Sequence, residues 1–305
     1  MGERMRILAL SAGRRDGNCE VLLKEALLAA RDSSGAQAEL IRLNELDLRP
    51  CTGCEGCMKG LIAGQEGRCV LTGDDFPWLL DQVLQADGLI LGAPIYDLIP
   101  CGRLITLLNR ALGAGRTHRD ACRTRPKIAA ALAVGGSDWT DFTEPLLQIT
   151  LTNLAKGCVV VDRLVAGGNT APAMALLDNG LVERVRVLGR RVADGLPHPD
   201  QAVWQGEDGL CPVCHCGLLR PLGGMAAACP FCGVRGTVDV SGGGLAFQPD
   251  PASAARERFS PAGEADHQAD IRAAHAKARA NAGELKARLE RLRRFEPVRR
   301  PPTRQ

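Results

Sequence analysis

RILALSAGRRDGNCEVLLKEALLAAR, residues 6–31, decides the fold. Arg6–Leu10 is a short apolar run that stops at a Ser-Ala-Gly turn, the pattern of a buried strand. From Asn18 to Arg31 the apolar residues return at helical spacing (Val21, Leu22 and Leu28, with alanines between), and Asn18 is placed to cap the helix start. Working outward, Ala38–Leu43, Gly88–Gly92, Lys127–Val134 and Cys158–Val165 read as further strands. Gly102–Leu112, Phe142–Ala155 and Ala171–Ala193 read as helices between or after them. Five strands alternating with helices predict an α/β fold with a doubly wound, five-stranded parallel sheet. In such sheets ligands bind where loops leave the carboxyl ends of the strands.

Three loops at that edge have ligand-binding composition. SAGRRDGNCE carries a Ser, two Gly and an Asn directly before a helix, so backbone amides and the positive helix end can cradle a phosphate without a lysine. It is neither a G-K-[ST] phosphate loop nor a G-x-G-x-x-G dinucleotide turn. GAPIYDLIP follows the third strand and GGSDWT the fourth. Tyr96, the sole tyrosine, sits in the first of these, where a flat ring can stack on another. A tyrosine wedged under its loop by Pro94 and Pro100 is the structural alternative, but three such loops on one edge favour a shared cofactor site.

Composition narrows the function classes. The chain has 305 residues, a net charge of +3 and 3% aromatic residues, which disfavours aromatic platforms for single-stranded nucleic acid. The charge is uneven: Pro251–Gln305 has thirteen Arg/Lys against seven Asp/Glu, a basic tail on an otherwise slightly acidic chain. No run of eighteen apolar residues predicts a membrane span, and the N-terminal apolar stretch reads better as a strand than as a signal peptide. Seven of the thirteen cysteines stand in C-x-x-C steps, which is ligand spacing, so reduced thiols and a cytoplasmic location are expected.

RILALSAGRRDGNCEVLLKEAL, GAPIYDLIPCGRLITLLNR and AVGGSDWT, in this order, resemble the NADPH-dependent FMN reductase family of the flavodoxin-like superfamily over roughly residues 5–195. The resemblance implies an FMN oxidoreductase taking electrons from NAD(P)H or a reduced, ferredoxin-like protein. It places the FMN phosphate at Ser11, Arg14, Asn18 and Cys19, the last where relatives usually have Thr or Ser. It places the isoalloxazine against Pro94, Ile95, Tyr96 and Asp97, and its polar edge at Gly135, Gly136 and Ser137. Asn109-Arg110 stands where the family often has Asp-Arg. Chemistry then belongs to the flavin, and the sequence offers no separate catalytic triad or carboxylate pair.

Two cysteine groups add metal chemistry. In PCTGCEGCMKGLIAGQEGRC, Cys51, Cys54 and Cys57 are each two residues apart, and eleven residues separate Cys57 from Cys69. That arrangement suits a [4Fe–4S] cluster and resembles the motif of iron–sulfur flavoproteins, with a longer last gap. Free or redox-active thiols, or another metal, remain open for this group. By resemblance to that branch a homo-oligomer is implied. In CPVCHCGLLRPLGGMAAACPFCG, Cys211, Cys214, Cys229 and Cys232 form two C-x-x-C knuckles with fourteen residues between them, the pattern of a tetrahedral thiolate site for Zn2+ or, as in rubredoxin-like knuckles, Fe. His215 and Cys216 are adjacent spares.

The expected organisation is a flavodoxin-like domain over 1–198 with a cysteine insert at 50–75, a metal ribbon over 205–245, and a charged helix with a disordered tail over 260–305. Ala265–Phe295 reads as one solvated helix with a sparse apolar face of Ile271, Leu285, Leu289 and Leu292. A sensory or electron-carrier protein that uses the ribbon and basic tail to bind a partner is the competing reading. Nucleic acid is not expected as that partner, because the ribbon carries only Arg220 and Arg235.

Overall fold

The structure, a computed structural model, describes residues 4–207, 209–238, 261–295, 297 and 299–301. It divides into two units, Met1–Gly206 with Lys277–Gln305, and Glu207–Ala276.

In the first unit the strands are β1 (Arg6–Ser11), β2 (Gln37–Arg42), β3 (Gly88–Tyr96), β4 (Ile99–Pro100), β5 (Ile128–Val134) and β6 (Val159–Ala166). Five run parallel in the order β2-β1-β3-β5-β6, and two-residue β4 folds back antiparallel on the end of β3. The winding changes direction between β1 and β3, so a crevice is expected outside their carboxyl ends. The helices are α1 (Asn18–Ser34), α2 (Gly56–Ile62), α3 (Phe76–Gln85), α4 (Gly102–Ala111), α5 (Arg116–Thr124), α6 (Thr143–Leu154) and α7 (Asn179–Gly195). Alternation along β1 divides the core: Ile7 and Ala9 face Leu22, Leu23, Val185 and Leu188 of α1 and α7, whereas Leu8 and Leu10 face the layer holding Phe76, Leu104 and Leu147. Both faces are covered, which is why the strands read as unbroken apolar runs. Helices α1 and α7 approach so closely that any Cβ at Gly189 would collide with the carbonyl oxygen of Ala26.

The sequence reading needs correcting at three places. Ala171–Ala193 is not one helix: a 3-10 turn at Met174–Leu177 comes first, and α7 then starts afresh at Asp178, whose Oδ1 accepts the Leu181 N–H at 2.9 Å. Ala173, at φ +56°, breaks the helical path. Helices α2, α3 and α5 lie where none was expected. The charged tail is two helices, α8 (Pro261–Ala280) and α9 (Ala282–Arg293), separated at Asn281. Helix α9 is not solvated all round: Leu292 and Phe295 are buried in the α1/α7 core, with Leu285 and Leu289 packed against it. The side chain of Ile271 lies outside the described residues, as do Ser241–Ser260 and the last four residues.

Past α9 the chain reaches the sheet edge. The Leu40 N–H donates to the Pro297 carbonyl at 3.4 Å, and the Arg299 N–H donates to the Leu40 carbonyl at 2.9 Å. At the opposite edge the Gln205 N–H donates to the Val161 carbonyl at 2.8 Å. Both outer strands are thus partly covered by chain that follows the last crossover, which blunts exposed edges.

The second unit holds an antiparallel sheet of β7 (Arg220–Gly223), β8 (Ala226–Ala228) and β9 (Arg235–Thr237). Its apolar cluster consists of cysteines with Leu218, Leu219 and Phe231.

Candidate functional site: a cofactor crevice and two cysteine groups

The turn after β1 leads directly into the start of α1. Gly17 stands at the N-cap of α1 and no side chain caps the helix, so the first-turn amides keep their donor capacity. Ser11 is fully buried at the foot of the turn, where its Oγ has no oxygen or nitrogen partner and only the Cys19 thiol beside it. Arg14 and Arg15 are exposed at the tip. Asn44, which the sequence reading missed, pins the turn by donating to the carbonyls of Ala12 at 3.2 Å and Gly13 at 3.0 Å.

Two residues expected at the phosphate point elsewhere. Asn18 is the first helical residue and not the cap. Its amide donates to the carbonyls of Asn169 at 2.6 Å and Ala171 at 2.8 Å, and its Oδ1 accepts the Ala175 N–H at 3.0 Å. It therefore ties α1 to the loop after β6, a fourth loop at this edge that periodicity did not reveal. The Cys19 side chain is buried beneath the turn, close enough to Gly92 that a Cβ there would lie 2.9 Å from its sulfur. Burial, helped by the nearby Cys101 sulfur, pushes its thiol well up, so it stays a neutral core group.

The other expected loops meet across β3 and β5. Asp97 and Leu98 both have positive φ, +47° and +73°, and join Tyr96 to Ile99 in a two-residue hairpin. Such a turn is usually made with Asn or Gly, and a leucine held there stores of the order of 1–3 kcal/mol. The hairpin holds Tyr96 outward, 62% exposed, while Ile95 is buried beside Gly135. Thr143 Oγ1 donates to the Leu98 carbonyl at 3.1 Å, linking the hairpin to α6. Gly135 donates to the Ala166 carbonyl at 2.7 Å and accepts from the Asn169 N–H at 2.9 Å. Gly136 lies against the Thr170 side chain, whose Oγ1 is buried without a partner, and buried Ser137 accepts the Trp139 N–H at 3.4 Å. Phe142, 53% exposed, ends this loop. Pro94 closes the hairpin by accepting the Cys101 N–H at 2.9 Å.

The insert with Cys51, Cys54, Cys57 and Cys69 is closed at its neck by one buried pair. Arg110 bonds both oxygens of Asp74 and also donates to the carbonyls of Arg49 at 2.8 Å and Leu71 at 3.0 Å. Cys51 and Cys54 are exposed and Cys57 and Cys69 partly so. Their four sulfurs are not gathered: among the described residues the only converging ligand group is Cys211, Cys214, Cys229 and Cys232. The N–H of Gly56 and the hydroxyl of Thr52 draw the Cys54 thiol below its ordinary value.

In that second group all four sulfurs lie within 4.8 Å of one another, with Cys211–Cys232 at 3.6 Å and Cys214–Cys229 at 3.5 Å. A tetrahedral thiolate site with bonds of about 2.3 Å needs sulfurs about 3.8 Å apart. The residues therefore fit a four-coordinate Zn2+ or Fe ion. The two knuckles repeat each other: Cys211 donates to Cys216 and accepts from His215, as Cys229 donates to Val234 and accepts from Gly233. His215 at φ +57° occupies the place of Gly233 at φ +76°, so its role is the turn and not that of a spare ligand. Burial raises the Cys214 thiol. At Cys229 burial acts the same way but is outweighed by the N–H groups of Cys232 and Phe231, which draw its thiol down to about 7.

The chain is similar to known proteins over most of its length. Residues 5–169 match the model of the family described as NADPH-dependent FMN reductase. The flavone synthase cfoJ of Aspergillus candidus is 31% identical over 261 residues, 79% of this chain and 80% of that protein. An iron–sulfur flavoprotein of Methanocaldococcus jannaschii is 32% identical over 198 residues, 62% of this chain and 96% of that protein. Among solved structures, a flavone reductase superposes with a TM-score of 0.61 at 26% identity, covering 98% of this chain and 100% of its own. By the family match and the identity shared with these relatives, the chain is a flavoprotein oxidoreductase that belongs to the NADPH-dependent FMN reductase family.

Proposed function

We propose that the chain uses NAD(P)H-derived electrons on bound FMN to reduce a flat, conjugated aryl ketone of the flavone class. Ser11, Arg14 and the first-turn amides of α1 are the groups to hold the phosphate, with Pro94–Asp97 and Gly135–Ser137 framing the ring. Bound FMN supplies hydride transfer, and the protein supplies position. The orphaned Ser11 hydroxyl and the uncapped helix are what a phosphate would satisfy, so the residues fit the cofactor.

The observation that carries the acceptor class is the strained hairpin, which keeps Tyr96 exposed on the cofactor edge with Phe142 exposed on the neighbouring loop. Outward aromatic faces stack flat aromatic acceptors and are costly to leave in water otherwise. The likeness to a flavone reductase over nearly the whole of both chains supports the same class. The reading needs no cluster at Cys51, Cys54, Cys57 and Cys69; the iron–sulfur flavoprotein relatives support one there, whereas the present spacing of the sulfurs does not.

The test is anaerobic turnover with NADH and NADPH, following flavin absorbance and a flavone by chromatography. Flavin bands that bleach with nucleotide and recover on adding flavone, with loss of its conjugated double bond, are expected. Flavin that bleaches but recovers only with quinones or dyes refutes the flavone class and leaves a general FMN reductase.

A further inference from the structure

The phosphate turn contains an acid where it must hold a dianion. Asp16 sits two residues before α1, in the left-handed region at φ +57°, within the turn that Ser11 and Gly17 bracket. Its carboxylate would repel a phosphate at the helix start. Lys24 approaches it at 3.9 Å but is already engaged by Glu20 at 2.8 Å, and Glu20 also binds Arg42 at 2.6 Å. The close partner of Asp16 is Arg293, whose Nε donates to Oδ2 at 2.9 Å.

Arg293 comes from the far end of the chain, 277 residues away, and its position is fixed independently of Asp16. Leu292 beside it is fully buried and Phe295 nearly so. Arg288 donates to the Leu176 carbonyl and, at 3.0 Å, to Asn179; Arg291 binds Glu25; Arg300 binds Glu45 at 3.1 Å. The arm thus delivers a cation to the turn from a docked helix, which a mobile tail would not do.

We propose that Arg293 is a positioning residue for the flavin phosphate: it neutralises Asp16 and so lets an acid-bearing turn accept an anion. This rests on the FMN reading above. It differs from that reading in making cofactor affinity depend on the C-terminal arm. The Arg293 side chain is half exposed, so its replacement should leave the fold intact.

The full chain, stripped of flavin, would be titrated with FMN and with riboflavin, which lacks the phosphate, by flavin fluorescence. Arg293→Ala is expected to weaken FMN about three- to tenfold, as for an uncompensated charge near a surface anion, and to leave riboflavin unchanged. Arg293→Lys should restore most of the FMN affinity. In an Asp16→Asn background, Arg293→Ala should have no further effect, because no acid remains to be neutralised. Equal weakening of both flavins, no weakening of FMN, or an undiminished effect in the Asp16→Asn background would overturn the proposal. A wild-type chain that binds neither flavin refutes the FMN reading itself, which separates the two failures.

Discussion

Arg110 has no exposed side-chain surface, and neither has Asp74, the partner that takes both its terminal nitrogens. The guanidinium also stacks on Phe76, 4.7 Å from the ring centre. Asp74 in turn accepts the N–H of Arg49 at 3.1 Å and of Phe76 at 3.2 Å. Burial opposes the charge on Asp74, but the Arg110 and backbone bonds outweigh it and hold the carboxyl below the usual carboxylate range. A folded pKa below the unfolded one, about 3.9, contributes stability that is complete above that value and is lost as pH falls through the folded pKa. Asp74→Asn leaves a buried cation uncompensated and should cost about 3–5 kcal/mol at pH 7. In urea titrations the deficit relative to wild type should begin to shrink below about pH 4, where the unfolded chain protonates Asp74 while the folded protein still holds it ionised, and should vanish only below the lowered folded pKa. A deficit that stays constant from pH 7 to pH 3 would show that the charge is not what closes the neck of the cysteine insert.

At the scale of elements, the C-terminal arm behaves as a late-added piece of the core. Leu292→Ala removes a fully buried side chain and should cost about 2–5 kcal/mol. The loss should be local as well as global. Hydrogen exchange at the Leu40 amide, which donates to Pro297, should accelerate more than at Leu8 or Leu89 in the sheet centre. Uniform acceleration would mean the arm has no separate docking step. This element was also the least legible in the sequence. The central strands were read correctly because burial on both faces leaves unbroken runs such as Ile128–Val134. The arm offers only Leu285, Leu289, Leu292 and Phe295 among many arginines, and its burial is decided by a groove between α1 and α7, both far earlier in the chain. Helix α5 has no apolar stripe, since it buries only His118 and Cys122. Helix α3 could have been found: Pro77 in its first turn and the spacing of Leu79, Leu80 and Val83 are a start signal and a face. Within the site, the bonds of the Asn18 side chain were not legible because its partners, Asn169, Ala171 and Ala175, are tertiary.

Across the whole molecule the two cysteine groups stand in different relations to the fold. The insert leaves its cysteines partly or fully exposed and is held by Arg110 at its neck. The ribbon is the reverse case. Its apolar cluster is made largely of the sulfurs themselves, and short strands β7, β8 and β9 cannot bury enough surface to offset chain entropy. Metal binding there should be folding energy. Among the described residues of the basic tail, in contrast, Arg288, Arg291, Arg293, Arg299 and Arg300 all meet groups of the first unit. That weighs against a carrier or sensor that binds through it. Titration with a mercurial under argon should release one metal ion per chain from Cys211, Cys214, Cys229 and Cys232. Amide signals of residues 209–238 should collapse while the flavin bands stay unchanged. Zn2+ would be colourless, whereas Fe would show charge-transfer bands. Replacing Cys51, Cys54, Cys57 and Cys69 with serine should leave this stoichiometry at one. If the ribbon amides keep their dispersion once the metal is gone, the thiolates are not what folds it, and the convergence of the four sulfurs must be a consequence of the sheet and not its cause.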